Sequence, residues 1–333
     1  MNTAEHDNTQ PIGLDVGTSR IVVARNTDKR YVYESQLNAF LALPYSKLTE
    51  SLLQRENVFH EARGPEIVVM GDDAQRFAEV FHVETRRPML NGVLNPHEPH
   101  SLAVMRSIIS RLAGKATADG QKIFFSVPAP LEGGDTGIPY HQASVQQILQ
   151  DLGYEARPIT EGLAVVFGEL GDSNFTGIGI SCGSGLCNVC LAVLSVPVIS
   201  FSVGKAGDFI DAQAALVTGD LATRTRIQKE QSFVLNGFSA DRVQNALTVY
   251  YQEMIGNLVE TLRNHISSAQ RLPKLERSIP LVLSGGTSMP KGFLDRFQGA
   301  LRSNELPVKL SEVRVSADPL NSTARGALMA ALC

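Results

Sequence analysis

The stretch D-V-G-T-S at Asp15–Ser19 combines a carboxylate with a glycine turn, directly after an apolar run typical of a β-strand. Gly17 permits a tight turn, so the backbone N–H groups of Thr18 and Ser19 can approach a phosphate closely. Asp15 is placed to hold water around a Mg²⁺ ion on the phosphates, because Mg²⁺ keeps several of its waters. The pattern predicts a phosphate-binding turn, although a single glycine turn between two strands is usually an ordinary hairpin.

A second glycine turn repeats this plan about half a chain later, in I-G-I-S-C-G-S-G-L at 178–186. Gly183, Ser184 and Gly185 form the turn, and strand-like apolar runs flank them on both sides. No carboxylate corresponds to Asp15 in this copy. Two similar hairpins predict two related α/β halves that face each other across a cleft.

A third glycine pair lies in L-V-L-S-G-G-T-S-M-P-K-G, where a strand ends at Leu283. Gly285 and Gly286 expose backbone to a close neighbour, and a helix is expected to begin near Pro290. The start of a helix after such a turn suits the ribose and α-phosphate of a nucleotide. Three glycine turns at strand ends predict one nucleotide site more readily than three unrelated turns.

Apolar periodicity predicts the elements that must position these turns. Three helices follow a 3.6-residue period, and Asp241 is expected to cap the longest of them. The predicted helical stretches are 102–112, 145–152 and 241–268, and the predicted strands are 12–16, 21–24, 66–70, 122–127, 176–181, 188–193, 198–203 and 280–283.

Charge and composition limit the function classes. The chain has 333 residues, of which 43% are hydrophobic, and its net charge of −4 indicates no basic field for a nucleic acid. The start of the sequence is polar, and no apolar run approaches the ~20 residues of a membrane span. We therefore expect a cytoplasmic protein of about two domains, with no nucleic-acid partner and no membrane anchor evident.

Three of the four cysteines lie in or beside the second glycine turn, which raises the question of a metal site. Cys187 and Cys190 are three residues apart on a predicted strand, so their side chains point to opposite faces. Structural zinc usually takes four ligands in C-x-x-C pairs, and no further ligand lies between these cysteines. We predict that Cys182, Cys187 and Cys190 are buried, reduced thiols.

The order of these motifs resembles the superfamily of actin, sugar kinases and large heat-shock chaperones, and within it the bacterial actins MreB and especially MamK. The resemblance extends from Ile12 to Leu332. The motifs that carry it are D-V-G-T-S, T-E-G-L-A-V-V-F-G at 160–168, the second glycine turn and S-G-G-T-S-M-P-K-G, with V-V-M-G-D-D-A at 68–74, R-P-M-L-N-G-V-L at 87–94, F-F-S-V-P-A at 124–129, G-K-A-G-D-F-I-D at 204–211 and K-E-Q-S-F-V at 229–234.

The resemblance implies a two-lobed, actin-like (ribonuclease H-like) α/β ATPase fold, each lobe a mixed sheet flanked by helices. It implies ATP or ADP and Mg²⁺ as ligands of the cleft, and self-association into filaments that follows the nucleotide state. Lobe I would comprise residues 1–163 and 318–333, with an insert at about 31–85. Lobe II would comprise 164–317, with an insert at about 201–251.

The resemblance also assigns roles to single residues. Glu161 takes the place of the acidic residue that positions the attacking water, and Asp15 is its partner in catalysis, holding the metal through water. Lys229 and Glu230 match residues that approach the sugar and base. The remaining implied contacts are Gly17, Thr18 and Ser19 in the phosphate-1 turn, Gly183, Ser184 and Gly185 in the phosphate-2 turn, and Gly285, Gly286 and Thr287 in the adenosine turn.

Ser181 departs from the family, because most actin-like ATPases carry an aspartate there. Serine removes one negative charge from the surroundings of Mg²⁺, which predicts weaker metal coordination and slow hydrolysis. Two hypotheses therefore stay open: a filament-forming, slowly hydrolysing ATPase, and a nucleotide-binding regulatory or scaffold module without hydrolysis. Sugar or acetate kinase activity is a third, less favoured one, since no separate substrate motif is found.

Overall fold

The structure is a computed structural model that describes residues 10–28, 30–81, 83–134, 137–269, 273 and 277–333. Most of the polar start, for which we predicted neither a signal peptide nor an anchor, is residues 1–9 and lies outside the described residues. No helix in the described ranges has the length and apolar character needed to cross a membrane.

The described strands are β1 (Ile12–Val16), β2 (Arg20–Thr27), β3 (Arg30–Leu37), β4 (Phe40–Pro44), β5 (His60–Arg63), β6 (Glu66–Met70), β7 (Met89–Leu90), β8 (Val93–Leu94), β9 (Lys122–Val127), β10 (Glu155–Thr160), β11 (Gly177–Cys182), β12 (Cys187–Val193), β13 (Val196–Val203), β14 (Ile279–Ser284) and β15 (Leu310–Val315). The described α-helices are α1 (Lys47–Arg55), α2 (Asp72–Phe81), α3 (Ser101–Ala113), α4 (Ile138–Asp151), α5 (Glu161–Glu169), α6 (Gly207–Thr218), α7 (Ala222–Ser232), α8 (Arg242–Ser268), α9 (Phe293–Ser303) and α10 (Ser322–Leu332). Short 3₁₀ turns occur at Gly171–Ser173 and Gly286–Ser288.

Two five-stranded mixed sheets with the same topology dominate the described part of the chain. The first has the strand order β10-β9-β1-β2-β3 and the second the order β15-β14-β11-β12-β13. In each sheet three consecutive strands pair antiparallel, and two later strands join parallel to the first of them. The duplication predicted from the two glycine hairpins is therefore a duplication of the whole sheet.

Each sheet has a large apolar core on one face. The core of the first sheet packs against α3 and α4, and that of the second packs against α6, α8 and α9. Strand β4 forms a smaller sheet with β6 and β5, and this sheet has its own apolar cluster with α1 and α2. Asp241 accepts hydrogen bonds from the backbone N–H groups of Val243 and Gln244, which confirms the predicted cap of α8.

The other faces of the two sheets are covered by α5 and α10, which pack directly against each other. Helix α10 covers the β1–β2 hairpin, and α5 covers β11 and β12. Glycines make this close packing possible, since a Cβ atom at Gly326 would lie 1.7 Å from the carbonyl oxygen of Ala164. A Cβ atom at Gly13 would likewise lie 2.1 Å from the carbonyl oxygen of Ala324.

The predicted strands and helices are present, but one helix begins later than predicted. Helix α9 starts at Phe293, not near Pro290. Lys291 instead forms a parallel β-bridge with Val234, and the N–H of Leu235 donates to the carbonyl of Lys291 (2.8 Å). Gly292 then turns the chain into the helix with φ of +92°, a conformation that favours glycine.

The cysteines near the second hairpin lie where they were predicted. Cys182, Cys187 and Cys190 are buried free thiols. Cys187 belongs to the large core on one face of the second sheet, whereas Cys190 packs with α5 on the opposite face. Their side chains therefore fill apolar space on the two sides of β12.

His141 on α4 is a buried polar residue, and neither of its ring nitrogens has a hydrogen-bond partner in the part of the chain that the structure describes. Burial lowers the pKa of its imidazole from 6.5 to about 4. The unfolded chain therefore binds more protons than the folded chain between these values, and stability must fall as the pH decreases from about 6.5 towards 4.

We expect urea unfolding to show a loss of about 2 kcal/mol between about pH 7.5 and pH 5 that is specific to His141. The variant His141→Leu should lack this component, because it has no group to protonate. The matched variant His97→Leu, at an exposed histidine, should keep it. An equal pH dependence in parent and His141→Leu would contradict the prediction.

Candidate nucleotide-binding site

The first glycine turn joins β1 to β2 and is closed by a hydrogen bond from the N–H of Gly17 to the carbonyl of Arg20 (3.0 Å). Ser126 on β9 anchors the end of β1. Its hydroxyl donates to the carboxylate of Asp15 (2.7 Å) and accepts from the N–H of Val16 (2.8 Å). One serine thus fixes the position of Asp15 relative to the turn.

The second turn is held by contacts with two other segments. Thr287 donates its hydroxyl to the carbonyl of Gly183 (2.8 Å), and the N–H of Asp208 donates to the carbonyl of Ser184 (2.7 Å). These bonds tie the turn to the third glycine segment and to the N-terminus of α6. These hydrogen bonds fix the shape of the turn through its carbonyl groups. The hydroxyl of Ser184, in contrast, has no hydrogen-bond partner among the described residues.

The third turn requires glycine at its first position. Gly285 has φ of +86°, and a Cβ atom there would lie 2.3 Å from the carbonyl oxygen of Cys182. Its N–H donates to the carbonyl of Pro319 (2.9 Å), which links the turn to the segment before α10. The backbone of β14 and that of β11 can approach this closely only because no side chain intervenes.

The first and second turns meet across the space between the two sheets. A Cβ atom at Gly185 would lie 2.4 Å from the hydroxyl of Thr18 and 2.7 Å from the N–H nitrogen of Gly92. The N–H of Gly92, in the turn between β7 and β8, donates to the same Thr18 hydroxyl (3.1 Å). The two hairpins are thus in direct contact, as a joint site would require.

A cavity of about 510 Å³ lies where the three turns converge, and every predicted site residue lines it. Its volume falls within the range of small-molecule sites. The predicted residues in its lining are Asp15, Gly17, Thr18, Ser19, Glu161, Gly183, Ser184, Gly185, Lys229, Glu230, Gly285, Gly286 and Thr287. Whether each of them contacts a nucleotide stays a prediction.

Two carboxylates face each other in this cavity. Glu161 is the first residue of α5, and its carboxylate accepts a hydrogen bond from Ser181 (3.0 Å). Burial, and then the charge of Asp15, raise the pKa of Glu161, while the Ser181 hydroxyl opposes this rise. Burial also raises the pKa of Asp15. The Ser181 hydroxyl thus stabilises the charged carboxylate of Glu161, whereas the carboxylate of an aspartate at this position would repel it.

Gly162, directly after Glu161, lies against the backbone of β12. A Cβ atom at this position would lie 2.6 Å from the backbone nitrogen of Cys190. Glycine therefore allows the first turn of α5 to press onto the second sheet, which brings Glu161 beside Ser181.

A family model described as Volactin matches residues 11–331, which is nearly the whole chain. The chain belongs to the volactin family. Among curated protein sequences, none matches it significantly.

Solved structures show that the volactin-family chain has the actin-like, two-lobed fold predicted from its motifs. A MamK double helical filament has 20% sequence identity and a TM-score of 0.71, with 97% of this chain and 98% of that chain covered. MreB 5 of Spiroplasma citri, bound to AMPPNP, has 13% identity and a TM-score of 0.67, with 96% and 95% covered. The ethanolamine utilization protein EutJ of Carboxydothermus hydrogenoformans has 14% identity and a TM-score of 0.53, with 96% and 89% covered.

In this volactin, Lys229 is not a free cation. Its ammonium group forms a buried ion pair with Asp211 of α6 (2.8 Å) and also donates to the carbonyl of Gly207 (3.4 Å). Burial raises the pKa of Asp211, and Lys229 opposes this rise. The lysine predicted near the sugar and base thus also fastens α7 to α6, while Glu230 beside it is exposed.

Sequence reasoning missed two further cations at this site. Arg226 lines the cavity and is 7% exposed, and Arg87 forms an ion pair with Asp208 (2.7 Å). The stretch L-A-T-R-T-R-I-Q-K-E contains few apolar residues, so it has no periodic signal that separates a buried arginine from an exposed one. Arg87 did fall within one of the recognised motifs, but nothing in that motif predicted its partner.

The donor set of the volactin site fits Mg²⁺ in the presence of phosphates. Mg²⁺ is commonly bound through one or two carboxylates together with phosphate oxygens. Burial, and then the charge of Asp15, raise the pKa of Glu161, and a divalent cation would relieve the repulsion between these two carboxylates. Neither carboxylate has a basic side chain as an ion-pair partner among the described residues, so both are available to a metal and its waters.

Proposed function

We propose that this protein is an ATP-binding, actin-like protein that assembles into nucleotide-dependent cytoskeletal filaments and hydrolyses ATP slowly. The observation that carries the proposal is the convergence of three glycine turns, from two sheets of identical topology, on one cavity of about 510 Å³. Backbone N–H groups of such turns suit the phosphates, and a cavity between two lobes suits a ligand that controls their relative position.

Different residues of the cavity have different proposed roles in binding and hydrolysing ATP. The first two turns bind and orient the phosphates from opposite sides, and the third receives the sugar. Asp15 would hold Mg²⁺ through water, and the ion would supply positive charge to the phosphates. Glu161, positioned by Ser181, accepts a proton from the attacking water or orients it.

The proposed lobes are residues 1–163 with 318–333, and residues 164–317. The small β4–β6–β5 sheet falls within the proposed insert at 31–85, and α6 and α7 fall within the one at 201–251. Exposed apolar side chains on both inserts, Leu48 of α1 and Leu216 of α6 among them, support self-association through these surfaces.

Sedimentation and phosphate release, measured on the same samples, test the proposal. Mg·ATP should cause the protein to pellet and should be followed by slow phosphate release. The variant Gly185→Val should do neither, because a side chain there collides with Thr18. Nucleotide binding without pelleting or phosphate release would favour the alternative, a nucleotide-binding regulatory or scaffold module, and no binding at all would remove the site assignment.

Asp15→Asn should abolish the contribution of Mg²⁺ to ATP affinity, a loss on the order of tenfold, because asparagine keeps the Ser126 hydrogen bond but not the charge. The nucleotide-free variant should be at least as stable as the parent, since burial disfavours the charged carboxylate. Calorimetric titrations with ATP, in Mg²⁺ and in chelator, measure the first effect. Asp295→Asn, at an exposed aspartate on α9, is the matched control, and an unchanged Mg²⁺ effect in Asp15→Asn would exclude the proposed role.

A further inference from the structure

Arg226 is a buried cation that has no hydrogen-bond or ion-pair partner among the described residues. Its side chain lines the candidate nucleotide cavity, and only 7% of the residue is exposed. Nε has no hydrogen-bond partner, and no carboxylate of the described residues lies within ion-pair distance of the guanidinium. A buried charge is costly unless it is paired, so an anion in contact with the guanidinium would stabilise this buried arginine.

Two of the three carboxylates whose charges act on Arg226 form ion pairs with other cations. Asp211 pairs with Lys229 (2.8 Å), and Asp208 pairs with Arg87 (2.7 Å). Glu230 is exposed to solvent. Burial, and then the like charge of Arg87, lower the pKa of Arg226, while the charges of Glu230, Asp211 and Asp208 oppose this fall. Among the described residues these carboxylates act without direct contact, so the guanidinium, which lines the cavity, is available to an anionic ligand.

Arg226 lines the same cavity as the phosphate-2 turn. Asp208, one of its charged neighbours, donates its N–H to the carbonyl of Ser184 in that turn. The hydroxyl of Ser184 is buried and also lacks a partner, and both residues line the same cavity. Two donors without hydrogen-bond partners among the described residues, Arg226 Nε and the Ser184 hydroxyl, thus line the same cavity. A guanidinium suits phosphate because it presents parallel donors in a plane.

We propose that Arg226 binds the phosphate chain of the nucleotide in this cavity. This inference rests on the proposed function and adds to it a positive side chain that no glycine turn or carboxylate of the site supplies. Arg226 provides the charge compensation for the phosphates from α7. The chain has a serine where a metal-binding aspartate was expected, and a protein cation on the phosphates partly takes over the task of the metal.

The test compares the affinities of the parent, Arg226→Met and Arg226→Lys for ATP and for adenosine by calorimetric titration. Arg226→Met should bind ATP about 10- to 100-fold more weakly and adenosine as the parent does. Arg226→Lys should keep part of the ATP affinity, because it keeps the charge and loses the planar donors. Arg224→Met, two residues away on the same helix, removes an exposed arginine paired with Asp220 and should bind ATP normally.

Thermal unfolding without nucleotide distinguishes ligand binding from a structural role. The apo form of Arg226→Met should be at least as stable as the parent, since methionine fills similar space without a buried charge. Unchanged ATP affinity in Arg226→Met, an equal loss for adenosine, or a destabilised apo form would overturn the inference. Failure of the parent itself to bind ATP would instead overturn the proposed function.

Discussion

Replacing Glu161 with glutamine should lower ATP turnover by a factor on the order of 10² to 10³ while leaving ATP affinity within about twofold of the parent value. Glutamine keeps a side-chain oxygen that can accept the hydrogen bond of Ser181, so the geometry at the start of α5 is preserved. It cannot accept a proton from water. Phosphate release at saturating ATP, with Mg²⁺ present, measures the effect.

Glu155→Gln is the matched control, because Glu155 is an exposed glutamate at the start of the strand that leads into α5. It should turn over ATP at the parent rate. Equal turnover in Glu161→Gln and an active parent would remove Glu161 from the reaction. A parent without turnover would instead favour the regulatory or scaffold module.

The pH profile of turnover follows from the same carboxylate. Glu161 must be ionised to accept a proton, and burial with the nearby charge of Asp15 raises its pKa. Turnover of the parent should therefore increase with pH through the pKa of Glu161, and the residual turnover of Glu161→Gln should lack this rise.

Gly326→Ala should destabilise the protein by about 3 kcal/mol or more, the upper end of what an added methyl group costs in a packed interior. The added carbon would lie 1.7 Å from the carbonyl oxygen of Ala164, so the main chains of α5 and α10 must separate. Urea unfolding of the nucleotide-free protein measures the loss.

Gly256→Ala provides a control for which the opposite effect on stability is expected. Gly256 also lies inside a helix, α8, but a Cβ atom there meets nothing within 4 Å. Alanine should therefore stabilise the protein by about 0.5–1 kcal/mol through the smaller entropy loss of the helix. If both variants lost stability equally, helix contact would not be the reason for the loss at Gly326.

Local patterns were sufficient to predict eight of the fifteen described strands, the glycine turns and the cap of α8, because these depend on neighbouring residues. The strands β10 and β15, which complete the two large sheets, were not predicted. The convergence of the three turns on one cavity also agreed with the motif order. Contacts between residues far apart in the sequence were not predictable. Nothing near Gly326 in sequence indicates Ala164, and nothing near Ser181 indicates that its hydroxyl would support Glu161.

The burial of charged side chains was also not predictable from the sequence. Lys229 and Arg226 stand in a charged stretch that is typical of a solvated helix face, yet both are buried. Their burial depends on Asp211 and Asp208 of the preceding helix and on the cavity itself. Helix α9 begins later than predicted because of another contact between residues far apart in sequence. The backbone hydrogen bond between Leu235 and Lys291 keeps the residues after Pro290 out of the helix.

The packing of α10 on the β1–β2 hairpin has a consequence for synthesis of the chain. Val22 and Ala24 are covered by Ala324 and Leu328, so a ribosome must add about 300 residues before this face of the first sheet is protected. The second sheet can close against α5 before then. Nascent chains that stop short of Ser322 would expose the hairpin, so this apolar surface stays uncovered until α10 has been synthesised.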